Sequence, residues 1–158
     1  METERTALME RAEVADTVTR LFVNIDEMNW DGVEGFFAPK VLFDASSHSG
    51  SRPSRVGPKR MVEQLESGLR GFAAVHHQLG NMLVEVDGAE ASAFCYATAT
   101  HYLPNPTGND TRRLVGTYDV HLVRGDDGWR IDALRFNLKF MEGNALLTEL
   151  AKKASRRK

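Results

Sequence analysis

The second half of the chain constrains the fold most strongly, because it holds four long stretches that read as extended strands. These stretches are residues 75–86, 90–103, 112–123 and 129–140. Asp87-Gly88 and the Gly-Asp-Asp-Gly segment at 125–128 are turn sequences typical of antiparallel hairpins, and a longer turn spans 104–109. Strands of roughly 12 residues are about twice the usual length and must twist, so we predict a curved antiparallel sheet.

The first half of the chain predicts helices instead. Over residues 5–28, apolar residues recur at spacings of three and four. The other predicted elements are a short helix at 31–37, a strand at 41–44, a loop at 46–57, a helix from Pro58 to about Leu69 and a last helix at 145–152. Helices before antiparallel strands indicate the α+β class, with the helices packed across the concave side of the sheet. The space between helices and sheet is suited to a small-molecule pocket.

Composition and charge exclude several classes of protein. The 158 residues include 20 Lys and Arg against 22 Asp and Glu, which leaves no basic field for a nucleic-acid partner. Cys95 is the only cysteine, so neither an intrachain disulfide nor a cysteine-rich zinc site is expected. The sequence lacks a membrane-length apolar run and the apolar core of a signal peptide. We expect one cytoplasmic domain over residues 1–158, with no membrane contact and a basic tail from about residue 152.

The stretch 90–103 has two different faces. One face is small and ends in a histidine: Ala91, Ala93, Cys95, Ala97, Ala99 and His101. Such a face admits either a closely packed helix or a ligand, and both fit if the helix covers one end and the pocket the other. The opposite face carries Phe94, Tyr96 and Tyr102, which would form an interface if that face is the outer side of the sheet.

The histidines are the candidate chemical groups, and they are His48, His76, His77, His101 and His121. None has the spacing of a helical zinc site, and no glycine-rich phosphate loop is present, so we expect neither a metal nor a cofactor. The alternative is a metal site formed by three histidines that meet in space with Asp26. His76 and His77 point to opposite sides of their strand. The pattern leaves open which one faces inward, because a bulge at Gly80 would shift the register.

Asp26 is the second candidate group, near the end of the first predicted helix. A carboxylate there opposes the helix dipole. It is either a solvated surface group or an acid turned inward to orient a histidine. In the second case it would fix the imidazole tautomer and raise the basicity of the far ring nitrogen.

Several motifs together resemble SnoaL-like proteins of the nuclear-transport-factor-2-like superfamily. They are Asn-Ile-Asp-Glu-Met-Asn-Trp-Asp at 24–31, Phe-Phe-Ala-Pro at 36–39, His-His-Gln-Leu-Gly-Asn at 76–81, Gly-Thr-Tyr at 116–118 and Asp-Gly-Trp-Arg-Ile at 127–131. The resemblance runs from about residue 8 to 140 and implies a cone-shaped α+β roll that forms a homodimer or homotrimer through its sheet. Within the superfamily the chain is similar to the scytalone dehydratases and lindane dehydrochlorinases. This similarity implies that Asp26 and His77 correspond to the Asp and the His that both groups of enzymes share. It also implies that His101 corresponds to the second histidine of the dehydratases.

The resemblance implies a cofactor-free lyase of the dehydratase type, or an isomerase, acting on a small cyclic or apolar molecule. His77 would take a proton from carbon, Asp26 would hold the imidazolium, and His101 would protonate the departing oxygen. The alternatives are a non-catalytic domain that binds a small molecule or serves as an accessory domain, and a subunit associated with an oxygenase.

The resemblance is incomplete at the substrate-polarising groups. The dehydratases use two tyrosines, and the matching positions here are Ile25 and Ala45. We therefore expect Tyr118, Asp119 and Asn137 to bind the substrate instead.

Overall fold

The computed structural model describes residues 1–157, which contain five helices and six strands. The helices are α1 (Glu2–Asp26), α2 (Trp30–Glu34), α3 (Ser46–Ser49), α4 (Pro58–Leu69) and α5 (Leu147–Ser155). The strands are β1 (Phe37–Asp44), β2 (Ser54–Val56), β3 (Ala74–Asp87), β4 (Glu90–Tyr102), β5 (Thr111–Gly125) and β6 (Gly128–Gly143). The four long strands therefore lie where the sequence predicts them.

All strands form one sheet in the order β2-β1-β6-β5-β4-β3. The strands from β3 to β6 pair antiparallel. β1 joins β6 in the parallel direction, and β2 pairs antiparallel with β1. The sheet is curved and open, with the helices on one side, which confirms the predicted α+β class.

The segment 46–57 differs from the predicted loop, because it contains α3 and β2. Asp44 starts α3 by accepting hydrogen bonds from the Ser46 backbone N–H (3.0 Å) and hydroxyl (2.6 Å). β2 is held by pairing with β1, for example Val56 opposite Val41. A strand this short is stabilised by pairing with its neighbour rather than by its own residues. The turn-forming residues around it therefore predict a loop.

The chain end also differs slightly from its prediction. The basic tail expected from residue 152 begins inside α5, which continues to Ser155. Lys158 lies outside the described residues.

The main core lies between α1 and the concave face of the sheet. α1 contributes Val14, Val18, Leu21 and Ile25, each no more than 2% exposed. The small face of β4 belongs to the same core from Ala91 to Ala99, and its last two members, Ala99 and His101, also line a cavity. Packing and cavity thus share this face, one at each end, as its small residues allow.

The outer face of the sheet carries the aromatic row that the sequence predicts. Tyr96 is 48% and Tyr102 41% exposed, and Phe94 contacts Tyr96 edge to face with 6.0 Å between ring centroids. The homodimer or homotrimer through this face stays a prediction. No helix within residues 1–157 is long and apolar enough to cross a membrane.

Candidate active site

A cavity of about 430 Å³ lies between the sheet and the helices. Its walls come from α1, the α3 segment, α4, α5 and the inner face of β3 to β6. Apolar and aromatic side chains form much of it, including Phe22, Phe43, Leu65, Leu114 and Phe136. Ile25 and Ala45, which stand where the dehydratases have tyrosines, also line it. The cavity is large enough for a ring-bearing small molecule.

His77 and Asp26 meet at the wall of this cavity. Nδ1 of His77 lies 2.6 Å from Oδ1 of Asp26, and Oδ2 accepts a hydrogen bond from the His77 backbone N–H at 2.8 Å. The two side chains are 7% and 15% exposed. His76 points outward, 75% exposed, so the choice between the two histidines falls on His77. The bulge lies between Gly80 and Leu83, beyond this pair, and leaves its register intact.

The contact fixes the tautomer of His77. An ionised carboxylate only accepts hydrogen bonds, so Nδ1 carries the proton and Nε2 holds a lone pair. Among residues 1–157, none pairs with Nε2. This is the arrangement of a general base held by a carboxylate.

The turn after α1 directs Asp26 inward. Met28 adopts a positive φ of 55°, and the Asn29 side chain donates to Oδ1 of Asn24 at 2.7 Å. Gly32 leaves room for this contact, because a Cβ there would lie 2.4 Å from Nδ2 of Asn29. The next helix therefore starts close against the end of α1, and Asp26 is the last residue of α1.

Aromatic rings hold His77 from the side. The Phe22 ring lies 5.0 Å from the imidazole and 4.7 Å from the ring of Tyr118, which in turn lies 5.0 Å from that of Phe136. Burial raises the pKa of Tyr118 above its usual range, so its hydroxyl stays protonated. No described residue hydrogen-bonds this hydroxyl, which leaves it as a donor for a ligand in the cavity.

His101 lines the same cavity in the opposite tautomer. Nε of Arg112 donates to Nδ1 of His101 at 3.2 Å, so the imidazole proton sits on Nε2. Burial, reinforced by the charge of Arg112, lowers the pKa of His101 to about 3. The ring stacks at 4.6 Å from Phe72. His77 therefore offers a lone pair and His101 an N–H to one cavity.

Two predicted substrate-binding residues do not join this site. Asp119 and Asn137 lie on the outer face, where Nδ2 of Asn137 donates to Oδ2 of Asp119 at 2.7 Å. Strand alternation explains the correction: Tyr118 and Phe136 face the cavity, so their successors face away. Of the three, only Tyr118 stands in the cavity wall.

The sequence prediction missed Arg112 and named His48 only as one of the candidate histidines, and both side chains line the cavity. Arg112 pairs with His101 across the hairpin, a register that turn length alone leaves uncertain. His48 lies in α3, within the segment taken for a loop. Its pKa is lowered by burial and by Arg112. Within residues 1–157 no cluster of three or more His, Cys, Asp or Glu is arranged to hold a metal ion.

The fold and this cavity define a class of protein, an α+β roll with a His–Asp pair enclosed between sheet and helices. The sequence profile of the SnoaL-like domain matches residues 6–135, and the chain belongs to that family. The predicted resemblance is confirmed.

Two relatives match most of the chain, and neither name states an activity. An uncharacterised protein of Mycobacterium tuberculosis is 27% identical over 129 residues, covering 78% of this chain and 82% of that protein. The crystal structure of the Kfla4162 protein from Kribbella flavida has a TM-score of 0.85 and 27% identity, over 90% of this chain and 99% of that one.

More distant structures share the fold alone. A hexachlorocyclohexane dehydrochlorinase of Novosphingobium barchaimii has a TM-score of 0.74 at 13% identity, over 92% of this chain and 95% of its own. Two other solved structures of this fold carry the names putative scytalone dehydratase and putative dehydratase. Proteins named as lyases therefore occur among the solved structures that share this fold.

Proposed function

We propose that this protein is a cofactor-free acid–base enzyme, a lyase of the dehydratase type or an isomerase. Its substrate is a small organic molecule with an acidic C–H bond. One observation carries the proposal: His77 is enclosed in an aromatic cavity, bound to Asp26 through Nδ1 at 2.6 Å, and free at Nε2. The occurrence of dehydratases and dehydrochlorinases among the solved structures of this fold supports the same class.

In the dehydratase reaction, Nε2 of His77 takes the proton from a carbon next to a carbonyl group. The C–H electrons form the new double bond as the neighbouring C–O bond breaks, and the imidazolium returns the proton to the departing hydroxide. Substrate becomes alkene plus water, and the enzyme ends unchanged. Asp26 acts as a positioning residue that also stabilises the transient imidazolium.

His101 has a different role in this proposal from the proton donor that the resemblance implies. With a pKa of about 3 it is neutral near pH 7, so it has no imidazolium proton to give. Its Nε2–H, with the Tyr118 hydroxyl, instead donates hydrogen bonds to the carbonyl oxygen as negative charge develops there. An isomerase would use the same groups, with the proton returned to another carbon of the substrate.

Deuterium exchange tests proton abstraction without requiring the natural substrate. Tetralone, a fused-ring ketone, is incubated with the protein in D₂O, and deuterium at the carbon next to the carbonyl is followed by mass spectrometry. We expect exchange with the wild-type protein and a loss of about 10²–10⁴-fold in His77→Gln, the range for one positioned base. His121→Gln is the matched control, because that ring pairs with Asp132 on the outer face of the sheet, away from Asp26 and the cavity.

A second probe separates elimination from isomerisation. A tetralone with a hydroxyl β to the carbonyl gives naphthol on loss of water, and a β,γ-unsaturated cyclohexenone gives its conjugated isomer. Both products are seen by ultraviolet absorbance. Binding of these ketones with neither exchange nor turnover would contradict the proposed enzymatic activity and would support a non-catalytic binding domain.

A further inference from the structure

The charged residues that line the cavity are all cations. They are Arg52, Arg70, Arg112 and Lys152. No Asp or Glu of the described chain is part of the lining, and Asp26 stands behind His77 with both oxygens occupied by that residue. The charged side chains of the lining are therefore all positive, and the carboxylates that pair with some of them lie outside the lining.

Arg112 differs from the other three cations in its burial. Arg70 and Lys152 are about 60% exposed and pair with Glu66 and Glu149 on their own helices. Arg52 is exposed at the cavity rim. Arg112 is only 5% exposed, and no carboxylate within residues 1–157 pairs with it.

The contacts of Arg112 leave the binding end of its guanidinium unused. Nε donates to His101, and the group lies 5.7 Å from the ring centroid of Phe72. The two terminal nitrogens, which form the fork that grips a carboxylate, have no partner among the described residues. Burial lowers the pKa of Arg112 from its usual range, as expected for a charge without a counter-ion, yet a guanidinium stays protonated near pH 7.

A structural role for Arg112 does not require its charge. A neutral amide would satisfy Nδ1 of His101 and would avoid desolvating a cation without a partner. A buried charge of this kind is expected where a ligand supplies the opposite charge. Its neighbours His48 and His101 have lowered pKa values, so both are neutral near pH 7. Neither histidine therefore adds a charge beside the guanidinium.

We infer that the substrate of this site is a carboxylic acid, held through its carboxylate by the terminal nitrogens of Arg112. This inference rests on the proposed function and names its substrate class, a ring-bearing keto acid. Arg112 lies opposite His101 on the next strand, and His77 lies opposite Ala99, two residues along β4. Two residues of a strand span roughly 7 Å, so a single ring fits between the carboxylate and the carbon that faces His77. The carbonyl would lie at Nε2 of His101, between them.

A binding experiment tests the inference without requiring turnover. Naphthoate and naphthamide share one ring system and shape, and differ by one negative charge. Their affinities are measured by isothermal titration calorimetry at pH 7 and low salt, in the wild-type protein and in Arg112→Gln, Arg112→Lys and Arg113→Gln. Arg113→Gln is the matched control, since Arg113 points outward and pairs with Glu142 at 2.6 Å.

We expect naphthoate to bind the wild-type protein at least about tenfold more tightly than naphthamide, as for one charge-assisted pair. The preference should vanish in Arg112→Gln, shrink in Arg112→Lys, which keeps the charge and loses the fork, and persist in Arg113→Gln. The contrast between acid and amide in the wild-type protein needs no variant, so it stands if Arg112→Gln fails to fold.

Equal affinity for the two compounds, or binding of neither, would overturn the inference. So would an acid preference that survives in a folded Arg112→Gln, because it would assign the anion to the rim cations instead. The same titrations in His77→Gln separate this result from the proposed function. If the wild-type protein prefers the acid but shows no deuterium exchange, the proposed catalytic function is wrong and the site is a carboxylate-binding site.

Discussion

Two His–Asp pairs lie on opposite faces of the same sheet with the same short contact. Nδ1 of His77 lies 2.6 Å from Asp26 on the inner face, and Nδ1 of His121 lies 2.6 Å from Asp132 on the outer face. The inner side chains are 7% and 15% exposed, against 39% and 30% for the outer ones. A short His–carboxylate distance is therefore common to both, and the enclosure is what distinguishes them.

The two pairs also differ in how the chain brings them together. His121 and Asp132 are 11 residues apart on adjacent strands of one hairpin, where a register shift leaves Asp132 beside Ala133, the residue opposite His121. His77 and Asp26 are 51 residues apart and join a strand to a helix end. The far nitrogen of His121 faces Glu90 at 3.8 Å, whereas that of His77 has no described partner. The inner pair alone combines enclosure, a free base and space for a substrate.

The largest expected difference between the pairs is in catalysis. We expect His77→Gln to lower the rate of deuterium exchange and of turnover by about 10²–10⁴-fold, because a positioned general base is lost. His121→Gln should leave both rates within about twofold, since its ring faces the opposite side of the sheet. Comparable losses in the two variants would mean that the short contact, and not the cavity, defines the functional pair.

The carboxylates should differ next, in both rate and stability. Asp26→Asn leaves the His77 ring and backbone N–H with a poorer acceptor, so we expect a loss of about 1–3 kcal/mol in the free energy of unfolding. As a positioning residue, Asp26 should affect kcat more than KM. Asp132→Asn should cost at most about 1 kcal/mol, since that pair is partly solvated. Urea unfolding and steady-state kinetics on Asp26→Asn and Asp132→Asn, each compared with the wild-type protein, measure both effects. A loss of stability in Asp26→Asn without any loss of kcat would reduce the inner pair to a structural contact.

Acid should destabilise the inner side of the sheet through His101. Its pKa is about 3 in the folded protein, against about 6.5 in the unfolded chain. The unfolded chain therefore binds a proton that the folded protein does not bind between these values. The free energy of unfolding is therefore unaffected by His101 above about pH 6.5. It falls by up to about 1.4 kcal/mol per pH unit as the pH drops toward 3.

Urea unfolding at pH 7 and pH 5 isolates this contribution. In the wild-type protein and in His121→Gln the free energy of unfolding should fall by up to about 2 kcal/mol more than in His101→Gln, whose amide does not titrate. Groups other than His101 are the same in the wild-type protein and in His101→Gln, so their titration cancels in that comparison, and His121→Gln shows whether replacing a different histidine removes the effect. An unchanged pH dependence in His101→Gln would show that His101 is not held neutral by burial.

The sequence predicts the sheet better than the helix-side details. The four long strands and α4, from Pro58 to Leu69, follow from periodicity and turn residues, which are local signals. The parallel pairing of β1 with β6 and the strand β2 depend on tertiary neighbours, so no local pattern marks them. The alternation of β4 predicts its buried face correctly because that strand has no bulge.

The candidate site is predictable only in part, for a similar reason. Asp26, His77 and His101 are found by residue type, separation and resemblance, and all three lie at one cavity. Asp119 and Asn137 directly follow the cavity residues Tyr118 and Phe136, and a step of one residue along a strand moves a side chain to the opposite face. Arg112 carries no motif, and its importance comes from burial and from the absence of a described carboxylate partner, which only the structure gives.

The smallest expected effect is the coupling within the outer pair itself. A double-mutant cycle on His121→Gln and Asp132→Asn, measured by urea unfolding near pH 6, should give an interaction free energy of about 0.2–1 kcal/mol. Because both side chains are about one-third exposed, salt should screen this coupling, and at 1 M NaCl it should fall toward zero. A coupling of several kcal/mol that persists in salt would mean that the outer pair is shielded from water in solution. That would place it inside an interface between copies of the chain, on the face that carries Phe94, Tyr96 and Tyr102, and the contrast between the two pairs would then reflect the isolated chain rather than its assembly.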